Sequence, residues 1–101
     1  MIAYLRGIPK VIDSELILDV QGVGYGVAVT TSTLSLASSV AELELFIFTH
    51  VKEDALDLYG FSTSQEKKLF DMLIAISGVG PKTALAINEN GSDGIVKAVQ
   101  D

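Results

Sequence analysis

The chain has 101 residues, 49% of them hydrophobic, with a mean hydropathy of +0.43 and a formal net charge of −6. That is enough apolar material for a packed core in one or two small domains, and too acidic for a protein that coats nucleic acid by charge alone. With no cysteine and a single histidine, His50, the sequence excludes disulfides, thiolate metal sites and histidine clusters, so no metal and no other cofactor is expected.

No apolar run approaches the roughly 18 uncharged residues of a membrane helix, and the start "MIAYLRGIPK" carries charge where a signal peptide has an apolar centre. A soluble cytoplasmic protein without a membrane partner is expected. The acidity is uneven: three basic residues face eight acidic ones over 1–62, but four face five over 63–101. A local phosphate site remains open to such a chain.

The first part reads as strands. "IAYLRGI" (2–8) and "ELILDV" (15–20) are rich in branched and aromatic residues, and the connection at Asp13 and Ser14 suits a turn between antiparallel partners. "VGYGVAVT" (23–30) follows, with glycines at 22, 24 and 26 that resemble a phosphate loop only superficially, because no helical pattern opens after them. A strand with a bulge or sharp bend is expected there. "AELELFIFTH" (41–50) alternates, then turns continuously apolar at Phe46, Ile47 and Phe48, so one face passes from wet to buried. "ALDLYGF" (55–61) alternates again, with Leu56, Leu58 and Gly60 opposite Asp57, Tyr59 and Phe61. Five short strands with glycine bends and no long helix between them predict a small OB-type barrel over 1–62, with an SH3-like barrel as the nearest alternative.

At Ser62 the period changes, and 63–101 is expected to form a partial helical domain, so the fold class is α+β, mainly β and then α. Thr63 and Glu66 have capping-box spacing, which predicts a helix from about residue 64 carrying Leu69, Phe70, Leu73, Ile74 and Ile76 as its apolar stripe. Ser77 and Gly78 end it, Pro81 opens a second helix that "NENGS" breaks, and Ser92 caps a third.

Between the first two helices lies "SGVGPKT". A helix N-terminus leaves amides unpaired and carries partial positive charge, so such a turn holds an anion without a basic patch. The candidate donors are the amides of Gly78, Val79, Gly80, Lys82 and Thr83, supported by the Lys82 ammonium and the Thr83 hydroxyl; Pro81 has no amide to offer. The spacing fits neither a Walker loop nor a dinucleotide fingerprint. A plain helical corner, in which the glycines only turn the chain, is the bland alternative.

"LIAISGVGPKTALAI" resembles the helix-hairpin-helix motif of DNA-binding proteins that ignore sequence. Together with "MIAYLRG", "VQGVGYGV" and "FTHVKEDALDLYGF" in this order, it is similar to the RuvA family of bacterial Holliday junction DNA-binding proteins. The resemblance implies a non-catalytic, tetrameric platform that holds four-way junction DNA during recombination and repair, while the RuvB motor hydrolyses ATP and drives branch migration. It further implies RuvC resolvase as a partner, and an acidic pin at the junction centre formed by Glu53 and Asp54, which from the residues alone read as a solvated acidic turn. Family members carry a second hairpin, a linker and a C-terminal domain that contacts RuvB, so the resemblance implies an N-terminal fragment. Two alternatives belong to other classes. One is a protein-interaction module built on the barrel. The other is a fragment of a helix-hairpin-helix glycosylase with Lys82 as nucleophile and Asp101 as a loosely spaced carboxylate.

Overall fold

The computed structural model describes residues 1–76 and 79–89. Its elements are β1 (Tyr4–Ile12), β2 (Glu15–Val20), β3 (Val23–Val27), α1 (Thr31–Ala37), β4 (Leu43–Val51), β5 (Leu56–Phe61), α2 (Ser64–Ala75) and α3 (Pro81–Glu89). The strands form one five-stranded antiparallel sheet in the order β3-β2-β1-β4-β5. No helix among the described residues is long and apolar enough to cross a membrane.

Two tight hairpins build the first half of the sheet. Asp13 (φ 51°) and Ser14 (φ 65°) form a two-residue loop between the paired Ile12 and Glu15, and Gln21 (φ 53°) and Gly22 (φ 93°) do the same between Val20 and Val23. Positive φ at both central residues matches the right-handed twist of the flanking strands. In the second loop the Asp19 carboxylate accepts the Gly22 amide at 2.8 Å, which holds the turn closed.

β1 runs four residues beyond the expected end. It pairs with β4 over Tyr4–Gly7 and with β2 over Ile8–Ile12, so it changes neighbours at Gly7. Pro9 therefore lies where the strand has one recorded partner, a place where a missing amide costs no central ladder bond. β3 corrects a second expectation. Its register with β2 is continuous from Val20–Val23 to Leu16–Val27, with no bulge, and it ends at Val27 rather than residue 30. Curling is completed just beyond: the Ala28 amide donates to the Leu58 carbonyl at 2.9 Å, and Ala28 accepts from the Gly60 amide at 2.9 Å. This parallel bridge between the end of β3 and β5 closes the sheet into the OB-type barrel.

Alternation sends Leu5, Leu16, Leu18, Val27, Leu43, Leu45, Ile47 and Leu58 into the barrel core. Helix α1 adds Ala37 to that core; the sequence reading assigned nothing to it. "TSTLSLA" has weak helix propensity, and tertiary context overrides it. Thr30 supplies the N-cap, its buried hydroxyl accepting from the Thr33 amide at 3.4 Å and bonding the Thr33 hydroxyl at 3.3 Å.

The outer face of β4 and β5 starts a second core. Tyr59 and Phe61 pack with Phe70 of α2 and Ala84 of α3, flanked by Phe48, Leu73, Ile74, Val79 and Leu85. Phe70 sits at the centre, its ring 4.7 Å from Phe61, 5.1 Å from Phe48 and 5.7 Å from Tyr59. The N-cap half of the expected capping box forms, with Thr63 Oγ1 accepting the Glu66 amide at 3.1 Å, while the Glu66 carboxylate accepts the Ser62 and Thr63 hydroxyls. Two details differ. Ile76 lies past the helix end and is exposed, and α3 continues through Asn88 and Glu89, where a break was expected. Asn88 is buried and donates its side-chain amide to the Glu66 carbonyl at 3.0 Å, a bond to α2 that outweighs its turn preference. Ser77, Gly78, Asp101 and the third helix expected from Ser92 lie outside the described residues.

Candidate nucleic-acid interface

The turn between α2 and α3 is built from its own backbone and anchored by one apolar side chain. Ile76 leaves the helix in an extended conformation (φ −73°, ψ 130°), and the Val79 amide donates to its carbonyl at 3.3 Å. Val79 then packs against the second core, fixing the turn's height above the sheet. Gly80 takes the N-cap position, since its carbonyl accepts the Ala84 amide at 2.9 Å and Pro81 begins the helix.

This geometry divides the expected donors. The Val79 amide is engaged inside the turn, and Gly78 lies outside the described residues. Among the described residues nothing accepts from the amides of Gly80, Lys82 or Thr83, and Lys82 and Thr83 are exposed. Three amides, an ammonium and a hydroxyl thus gather at the positive end of α3.

The turn does not stand alone, because the barrel places β4 and β5 beside it. His50, Lys52 and Tyr59 share a groove of about 300 Å³ with Gly80, Pro81, Lys82 and Thr83. An adjoining groove of about 350 Å³ runs past Lys52, Tyr59 and Lys82 to Asp57, Gly26 and Ala28. Inside them, Lys52 Nζ lies 2.9 Å from Asp57 Oδ2. The Lys52 hydrogen bond holds the Asp57 carboxyl below its ordinary range, with His50 and Lys82 adding to the effect, and the same bond raises Lys52. Burial, followed by the Asp57 charge, pushes the Tyr59 phenol up.

His50, Lys52, Asp57 and Tyr59 were not singled out from the sequence as site residues. A signal for them exists: Phe48 pairs with Tyr59 and His50 with Asp57, so alternation alone puts these four on one face of the β4–β5 hairpin. What covers that face is a tertiary fact. Glu53 and Asp54 occupy the exposed tip of the same hairpin, where the Lys52 amide donates to the Ala55 carbonyl at 2.8 Å. The acidic tip thus belongs to the hairpin whose Lys52 and Asp57 line the grooves, but neither Glu53 nor Asp54 lines them.

Comparison with known proteins agrees with this architecture. The profile of the RuvA N terminal domain matches residues 1–60, and that of the SAM-like helix-hairpin-helix tandem matches residues 70–100. The Holliday junction branch migration complex subunit RuvA of Halothermothrix orenii is 48% identical over 90 residues, covering 86% of this chain and 45% of that protein. The subunit of the same name from Limosilactobacillus fermentum is 41% identical over 103 residues, covering 100% and 52%. That of Geobacter sp. strain M21 is 52% identical over 92 residues, covering 89% and 46%. The chain spans about half the length of these curated relatives. With a matched barrel, a matched helical pair and the helical turn seated on the barrel's outer face, the chain belongs to the RuvA family.

Proposed function

We propose that the chain is the DNA-holding part of a Holliday junction scaffold, a non-catalytic subunit that acts in the bacterial cytoplasm beside an ATP-hydrolysing RuvB motor. It divides into an OB unit, 1–62, and a helical unit, 63–101, a division supported by the change of period at Ser62 and by the barrel's own core, while the helices pack on the outer face of β4 and β5. The turn Gly78–Val79–Gly80, with Lys82 and Thr83, holds a DNA phosphate, and assembly into a tetramer presents four such turns to the four arms. Glu53 and Asp54 stand near the junction centre and repel phosphates there. RuvB engages a C-terminal region beyond these residues, and RuvC acts on the same junction.

The observation that carries this reading is the cluster of three amides, without an acceptor among the described residues, beside Lys82 and Thr83 at the start of α3. Amides and ammonium read phosphate and carry no base code, so binding is indifferent to sequence. The test is junction binding by gel shift at fixed salt. Gly80→Phe removes most of the affinity, because a bulky side chain denies a phosphate close approach to the turn. Lys82→Ala costs less and lowers the slope of log K against log salt by about one contact. Unchanged binding by Gly80→Phe overturns the assignment.

A further inference from the structure

The groove beside the turn already holds an anion of the protein's own. Asp57 lies on β5 directly opposite His50 on β4, so both project from the face that the helical turn overhangs. Its carboxylate is paired with Lys52 at 2.9 Å, and their side chains are 38% and 41% exposed, so the pair is neither fully solvated nor sealed. Lys52 and Lys82 line both grooves, and Asp57 lines the one that joins them to the barrel. A phosphate approaching the α3 N-terminus therefore meets in Lys52 a cation that is already partly satisfied.

We propose that Asp57 is a resident competitor for the phosphate, holding Lys52 in place and lowering the affinity of each single turn for DNA. The inference rests on the reading of the turn as a phosphate site. Its physical basis is exchange: a DNA phosphate gains Lys52 only by displacing a carboxylate, and that carboxylate also repels the phosphate directly. The carboxyl's depressed pKa, caused first by the Lys52 hydrogen bond, is what such an occupied cation site produces. One consequence concerns selectivity. A weakened single site favours a ligand that engages several turns at once, since avidity multiplies small affinities that a lone phosphate cannot exploit. Asp57 thereby helps the assembly prefer junctions over short duplexes.

The experiment compares Asp57→Asn, Asp57→Thr, Lys52→Ala, the Asp57→Asn/Lys52→Ala double variant and Gly80→Phe in the full chain, with four-way junction and linear duplex DNA as probes. Circular dichroism melts identify folded variants, and Asp57→Thr serves as the β-compatible replacement if Asn unfolds the hairpin. Asp57→Asn is expected to tighten junction binding roughly three- to tenfold at about 50 mM salt and to steepen the salt dependence by about one ion. Duplex gains more than junction, and most of the gain disappears in the Lys52→Ala background. Unchanged or weaker binding by both folded Asp57 variants, with Gly80→Phe inactive, overturns this proposal alone. Full binding by Gly80→Phe overturns the phosphate-site reading and this proposal with it.

Discussion

Gly7 shows how much a single residue decides in this barrel. At the point where β1 leaves β4 for β2, a Cβ on Gly7 would run into the Asp19 carbonyl, a backbone atom that cannot swing aside, as well as the Val20 side chain. Gly7→Ala therefore forces the β1–β2 pair apart and destabilises the fold by about 1–3 kcal/mol, the usual cost of overpacking. Thermal or urea unfolding of the variant measures it. Gly26 has nothing within reach of an added Cβ, so Gly26→Ala is the internal control and stays near wild type. The sequence shows glycines in and around three strands with no mark to tell them apart. The distinction comes from which atoms of a neighbouring strand lie opposite each, and that is fixed by register and curvature together.

At the scale of elements, the helical pair depends on the barrel for its core. Phe70 has neighbours from β4 and β5 at ring distances of 4.7 to 5.7 Å and is fully buried; among the described residues of α2 and α3 the other buried apolar side chain is Ala84. Phe70→Ala is expected to cost about 3–5 kcal/mol. If the turn holds DNA as proposed, the change also weakens that binding, although Phe70 lines neither groove, because Val79 of the turn packs on the same cluster. Comparing unfolding midpoints with junction affinity, measured where the variant is still folded, checks the link; stability lost with affinity intact would show the turn to be positioned some other way. The α2 boundary was legible because a capping box is local: Thr63 and Glu66 are three residues apart and need no third partner. Helix α1 was not, since its cap works only because Thr30 and Thr33 are buried against the barrel, and weakly helical "TSTLSLA" carries no sign of that burial.

For the whole molecule, the charge distribution sets the terms of the proposed DNA binding. On the proposed function a chain of net charge −6 has to meet phosphates through a local groove, with Glu53 and Asp54 exposed at the tip of the hairpin that supplies Lys52. Neutralising both, as Glu53→Gln/Asp54→Asn, keeps the size of the tip and removes two negative charges. If the pair acts as proposed, weakening binding overall while sharpening discrimination for open junctions, binding to junction and duplex tightens at low salt and duplex gains more. Moderate salt shrinks the difference, as screening requires. Weaker junction binding, or an unchanged junction-to-duplex ratio, would reduce the pair to a solvated turn.

Strand existence, the change of period at Ser62, the opening of α3 at Pro81 and the amide-rich turn were all determined by the sequence itself, because each rests on contacts within a few residues: alternation, capping, and the fixed φ of proline. The sharing of β1 between two partners, the closing bridge at Ala28 and Tyr59, and the burial of Asn88 against Glu66 belong to the tertiary structure. So does the site beyond its turn. His50, Lys52 and Asp57 are separated from Lys82 by at least 25 positions in the chain, and only the packing of Tyr59, Phe61 and Phe70 brings the two stretches to one groove. Local rules say which face a side chain takes on its strand. Which element covers that face is decided by the burial of apolar surface across the whole chain.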